Sequence, residues 1–118
     1  MSATKPQVCI VGGGMITQVQ ILPSLYQLER QGLIGKISIC ALNNAPLRRL
    51  AQDAALLRAF PGHSFTPYPA FDKKADENFP NLYKEVLAQL PPYSIVVVAM
   101  PDQLHYEVLA AALANNHH

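Results

Sequence analysis

Short apolar runs alternate along this chain with segments whose apolar positions recur every three or four residues. Val8-Cys9-Ile10-Val11 is the first run, continuous and closed by glycines, as expected of a parallel strand buried on both faces. The next segment carries Val19, Leu22, Leu25, Tyr26 and Leu28 on one helical face and ends near Gly32. Pro23 lies inside it, and an interior proline removes a backbone hydrogen bond at about 3 kcal/mol, so the spacing predicts a kink or a helix that starts afresh there.

The alternation continues to the end of the chain. Ile37 to Leu42 reads as a second strand, and Asn43-Asn44-Ala45-Pro46 as a turn into a helix striped by Leu47, Leu50, Ala54 and Leu57 and closed by Pro61-Gly62. Ser64-Phe65-Thr66 is a short third strand, assigned to a sheet edge because Pro67 and Pro69 follow. Asp72 to Asn78 reads as a solvated loop. Pro80 opens a helix with Leu82, Tyr83, Val86, Leu87 and Leu90 on one side, stopped by Pro91-Pro92. Ser94 to Met100 is rich in β-branched residues and reads as a central strand, followed by a helix from Asp102 to Ala114 with Leu104, Val108, Leu109 and Leu113 inward.

A regular succession of strand and helix predicts an α/β fold: a Rossmann-type parallel sheet with right-handed crossovers and helices on both faces. With strand order 3-2-1-4, the point where the order reverses lies between the first and fourth strands. Ligands of such sheets bind there, beyond the carboxyl ends.

Composition narrows the function more than it defines it. The chain has 118 residues, enough for one domain spanning 1–118 with a real core. Half of the residues are hydrophobic, 14% are charged and the formal net charge is +1, which argues against disorder, a nucleic-acid surface and a membrane surface. Cys9 and Cys40 fall inside apolar runs and read as buried thiols of a reducing compartment. Without a signal-like start or a run of about 18 apolar residues, the expected location is cytoplasmic. His117-His118 read either as the remnant of a purification tag or as a natural chain cut at that point.

The candidate chemistry is concentrated at Gly12-Gly13-Gly14-Met15-Ile16-Thr17, between the first strand and the first helix. Such a turn lets the backbone approach a pyrophosphate and aims helix N-H groups at its charge. Gly12 and Gly14 satisfy two positions of the G-x-G-x-x-G pattern, and Thr17 stands at the third. At the end of the second strand, where an acid would bind the ribose 2′-hydroxyl, the chain has neutral Asn43; Asn43 or Asn44 also suits a helix cap. Arg48 stands within reach of a 2′-phosphate or on a solvated helix face. The histidines share no spacing with cysteines or carboxylates that would form a metal site. A Gly-x-Ser-x-Gly elbow and a Walker lysine are both missing, which argues against an α/β hydrolase and a P-loop NTPase.

After the fourth strand comes Met100-Pro101-Asp102-Gln103-Leu104-His105. With the glycine turn and the Leu22-Pro23 pair, this segment resembles the amino-terminal half of the glucose-fructose oxidoreductase, inositol dehydrogenase and rhizopine-catabolism family. That family typically has Thr-Pro-Asn-x-x-His here; Pro101 and His105 match, whereas Met100 and Asp102 depart. Alternatively, Asp102 is a helix cap and His105 a local hydrogen-bonding residue.

The resemblance implies binding of NAD or NADP by Gly12, Gly14, Met15 and Ile16, with Pro101 and His105 beside the nicotinamide ribose. It also implies that the chain is truncated before the family's Glu-Lys-Pro segment and second α+β domain, which supply the catalytic acid and base. No catalytic residue is therefore expected here, the isolated chain should be inactive, and a small-molecule substrate would bind only with the missing domain. The expected function is the cofactor domain of an oxidoreductase acting on a polyol or sugar-like substrate; the alternative is a non-catalytic nucleotide-binding or regulatory module.

Overall fold

A computed structural model describes residues 5–12, 20–73, 77–79, 81–91, 94–99, 102–115 and 117, without the side chains of 102–106. Its strands are β1 (Val8–Val11), β2 (Ile37–Cys40), β3 (Thr66–Tyr68) and β4 (Ile95–Val98). The helices are α1 (Leu22–Arg30), α2 (Ala45–Ala51), α3 (Ala54–Ala59), α4 (Leu82–Gln89) and α5 (Asp102–Ala114). The strands form one four-stranded sheet in the order β3-β2-β1-β4, and every neighbouring pair is parallel.

Alternation along the strands divides the apolar residues between two cores. Val8, Ile10, Ile37 and Ile39 meet Leu22 and Tyr26 of α1, Leu47 and Leu50 of α2, and Leu56 of α3. Cys9, Val11 and Cys40 point the other way, toward Tyr83, Val86 and Leu87 of α4 and Val108 and Ala112 of α5. Ile10, Ile39, Leu22 and Leu47 are fully buried, and each contributes about 1.5–3 kcal/mol through burial. Neither cysteine forms a disulfide. Burial pushes the Cys9 thiol up to about 11 and, with the neighbouring Cys9 adding to it, the Cys40 thiol up to about 12, so both stay protonated at neutral pH.

Several boundaries differ from the sequence expectation for local physical reasons. α1 is α-helical from Leu22 with Pro23 in its first turn, and Gln20 and Ile21 just before it form a π turn; residues 13–19, where the expected helix would begin, lie outside the described residues. The helix expected over the Leu47 to Leu57 stripe is two helices. Asp53 caps α3, its Oδ1 accepting from the Ala55 and Leu56 N-H groups at 2.9 and 3.1 Å, and this second start turns Leu56 inward and leaves Leu57 exposed.

The third strand lies two residues later than expected. It includes Pro67, which the sheet tolerates because β3 has a neighbour on one side only. β4 also lies at a margin of the described sheet rather than at its centre, and its four residues are half-buried. Among the described side chains of α5 the buried ones are Val108 and Ala112, while Leu109 and Leu113 are exposed; the side chain of Leu104 lies outside the described residues. Among the described residues no helix is long and apolar enough to cross a membrane.

Candidate functional site

The crossover directions place α1, α2 and α3 on one face and α4 and α5 on the other, so the strand order reverses between β1 and β4. Gly12 leaves the carboxyl end of β1 at this point. Its N-H donates to the Cys40 carbonyl at 2.7 Å, while the Ala99 N-H, just past β4, donates to the Val11 carbonyl at 2.9 Å. The backbone of Gly12 has φ +123, and a Cβ there would lie 2.0 Å from the Ala99 carbonyl oxygen. Gly12 is therefore required twice, by a dihedral closed to other residues and by the approach of the chain leaving β4. The space its hydrogen leaves is taken by the Ala99 backbone.

Gly14, Met15, Ile16 and Pro101 lie outside the described residues, as does the side chain of His105, whose backbone belongs to α5. Asn43 and Arg48 are described, and both lie at the carboxyl edge of β2. The Asn43 Oδ1 accepts from the Ala45 N-H at 3.2 Å, and its Nδ2 donates to the Asn78 Oδ1 at 3.0 Å. Asn43 thus makes the local turn contact that allows α2 to begin, and it also ties the segment leading to α4 across the end of β2. The Phe79 N-H, donating to the Leu42 carbonyl at 2.7 Å, makes the second tie.

Sequence reasoning left the neighbouring residue with too small a role. Asn44 is fully buried, and its Nδ2 donates to the Ala70 and Lys73 carbonyls, each at 2.8 Å. Its Oδ1 accepts from the Arg48 Nε at 3.0 Å, and the Arg48 Nη2 donates onward to the carbonyls of Phe71 and Lys73. The two side chains hold the segment after β3 against the start of α2. The only sequence signal for this was the Asn-Asn pair itself, because backbone carbonyls carry no residue signature.

A dinucleotide is a polyanion with amide- and hydroxyl-bearing groups at its adenosine end. The described edge of the crevice carries the amide of Asn43, the positive charge of Arg48 and the bent backbone at Gly12, and the chain leaving β2 through Ala41-Leu42-Asn43-Asn44 presents no carboxylate to repel such a group. Two other concavities lie elsewhere. One, of about 120 Å³, is lined by Tyr26, Leu50, Leu56, Phe65 and Phe71 among others; the second, of about 370 Å³, lies by the first residues of β2 and β3. Between them His63 Nδ1 meets Glu29 Oε1 at 2.7 Å, with Tyr26 and Phe60 against the imidazole ring. That pair ties α1 to the chain entering β3. Among the described residues no group of three potential metal ligands comes together.

Comparisons with family models, with curated proteins and with solved structures found no match to this chain.

Proposed function

We propose that the chain is the NAD(P)-binding domain of an oxidoreductase that moves hydride between a nicotinamide and a hydroxyl or carbonyl carbon of a polyol or sugar-like substrate. The observation that carries this reading is the sheet order β3-β2-β1-β4 with Gly12, at φ +123, leaving β1 at the reversal point, where open parallel sheets bind nucleotides. On this reading the N-H groups around Gly12, Gly14, Met15 and Ile16 hold the pyrophosphate, Asn43 and Arg48 stand at the adenosine ribose, and Pro101 and His105 flank the nicotinamide ribose. A bound nicotinamide would supply the hydride in its reduced form or accept it in its oxidised form. The chain's own part is to bind the cofactor, orient it and present one face of the ring; the acid or base for the substrate oxygen is assigned to no residue of this chain. A reducing cytoplasm suits the two protonated, unpaired thiols.

Calorimetric titration of the purified chain with NADH and NADPH tests the proposal. Binding of both is expected, with dissociation constants no more than about tenfold apart, since a neutral Asn43 neither attracts a 2′-hydroxyl strongly nor repels a 2′-phosphate. Gly14→Val should abolish binding while leaving the helical circular dichroism intact. Failure of the unmodified chain to bind either cofactor overturns the reading. Binding of both by a full-length parent protein that has no dehydrogenase activity would favour the regulatory module instead.

A further inference from the structure

We infer that Arg48 is a positioning residue, acting with Asn44 to hold segment 70–73 as the wall of the adenosine end of the crevice, and that it does not itself contact a ribose 2′-phosphate. This inference rests on the dinucleotide reading and narrows it.

The geometry distinguishes the two roles. Arg48 is exposed, the usual situation of an arginine that reaches for a ligand, yet its Nε and Nη2 already donate to Asn44 Oδ1 and to the carbonyls of Phe71 and Lys73. A guanidinium is planar and rigid, so three bonds made through Nε and one terminal nitrogen fix the orientation of the whole group. A fork-like grip on a phosphate would need two parallel N-H groups along one edge of that plane, and here the Nε–Nη2 edge is already occupied.

Asn44 completes the clasp from inside. It is fully buried, and all three of its bonds run to this segment or to Arg48. A buried amide satisfied in this way is rigid, because every alternative position leaves polar groups unpaired.

Segment 70–73 follows β3 at the same edge of the sheet from which Gly12 leaves β1. The Ala41 N-H donates to the Tyr68 carbonyl at 2.9 Å, so the chain leaving β2 and the chain leaving β3 run side by side before the clasp joins them again. A nucleotide whose pyrophosphate sits at the glycine turn extends its adenosine over the end of β2. Past that end, Asn44 and Arg48 are bonded to segment 70–73.

The test uses the 118-residue chain, with ADP and adenosine 2′,5′-bisphosphate as calorimetric probes and trypsin cleavage after Lys73 as an independent readout. Arg48→Ala should weaken both nucleotides by the same factor, about tenfold, and should speed cleavage after Lys73. Arg48→Lys should rescue neither, because one ammonium cannot replace a planar fork. Asn44→Ala should act in the same direction; if that variant fails to fold, the exposed Arg48 pair still decides. Loss of affinity for the bisphosphate alone, or rescue by lysine, makes Arg48 a phosphate ligand and overturns the inference while leaving the dinucleotide reading intact. Unchanged affinity for both probes, or unchanged cleavage, likewise overturns it. If the unmodified chain binds neither nucleotide nor either cofactor, the dinucleotide reading fails and the inference falls with it.

Discussion

Replacing Gly12 with alanine tests the geometry on which the crevice depends. The added Cβ would lie 2.0 Å from the Ala99 carbonyl oxygen and 2.7 Å from its carbon, far inside a normal contact. The obstacle is backbone, so it cannot turn aside as a side chain would. Two penalties add. A dihedral near φ +123 is almost closed to alanine, at about 1–3 kcal/mol. Parting the ends of β1 and β4 resembles overpacking, again at about 1–3 kcal/mol. Alanine returns about 0.4–1 kcal/mol by restricting the unfolded chain, which leaves a net loss of about 1–6 kcal/mol, with a middle value of about 3, a large share of the ~5–15 kcal/mol typical of a domain.

Gly62→Ala is the matched control. Gly62 also has a positive φ, +82, but nothing lies within 4 Å of its added Cβ, so only the dihedral penalty applies, at about 1 kcal/mol net. In urea, with a slope of about 1.5 kcal/mol/M, Gly12→Ala should lower the unfolding midpoint by about 2 M and Gly62→Ala by less than about 1 M. Equal shifts would refute the reasoning: the ends of β1 and β4 would then not approach as described, and the tight turn at the reversal point would lose its physical basis.

Burial holds the Cys9 and Cys40 thiols protonated to about 11 and about 12, whereas an unfolded thiol ionises near ~8.5. Their stabilising contribution is thus fully present below about pH 8.5 and is lost as pH rises toward 11, because the unfolded chain releases protons that the folded chain keeps. The loss approaches about 1 kcal/mol per thiol per pH unit, so urea midpoints should fall between pH 8 and 10; an equal fall in the Cys9→Ala/Cys40→Ala double variant would count against this cause. His117→Ala should destabilise by about 2 kcal/mol, because His117 is buried and its Nε2-H donates to the Leu87 carbonyl at 2.6 Å. Leu113→Ala, at an exposed position, should change the stability by less than about 0.5 kcal/mol, and equal effects of the two would show that His117 is not packed.

The parts of the fold that sequence exposed are those whose signal is a period. The continuous apolar run Val8–Val11 and the largely apolar run Ile37–Cys40, broken only by Ser38, suit strands buried on both faces, and the helical stripes between them leave a parallel sheet as the natural arrangement. Where two elements share one apolar spacing, the period does not separate them. The stripe through Leu47 and Leu57 reads as a single helix because a carboxylate at Asp53 has the same polarity whether it faces solvent or caps a new start. The same limit explains α5, where Leu109 and Val108 are equally apolar and only packing against α4 selects Val108 and Ala112. His117 was illegible for another reason: a terminal histidine announces nothing, and its burial depends on the carbonyl of Leu87, which no side-chain pattern records.

Asn43 shows how the same limit affects a candidate site. Read along the chain, it is a neutral residue where an acid is expected, and its meaning concerns only the cofactor. In the fold its amide works in both directions, accepting from the Ala45 N-H and donating to Asn78. A carboxylate could do only the first unless the Asn78 amide turned over to donate, so the neutral side chain has a folding role that an acid fills less well. What is left for a ribose is one amide hydrogen and one oxygen lone pair, both uncharged. On the proposed reading, weak discrimination between NAD and NADP follows from this division of the amide, since neutral hydrogen bonds to a hydroxyl bring only modest net affinity and present no charge against a 2′-phosphate. Arg48 does not restore the bias, because the carbonyls of Phe71 and Lys73 already orient its guanidinium. The selectivity expected of this edge is therefore one of shape, exercised through the wall that the clasp holds in place.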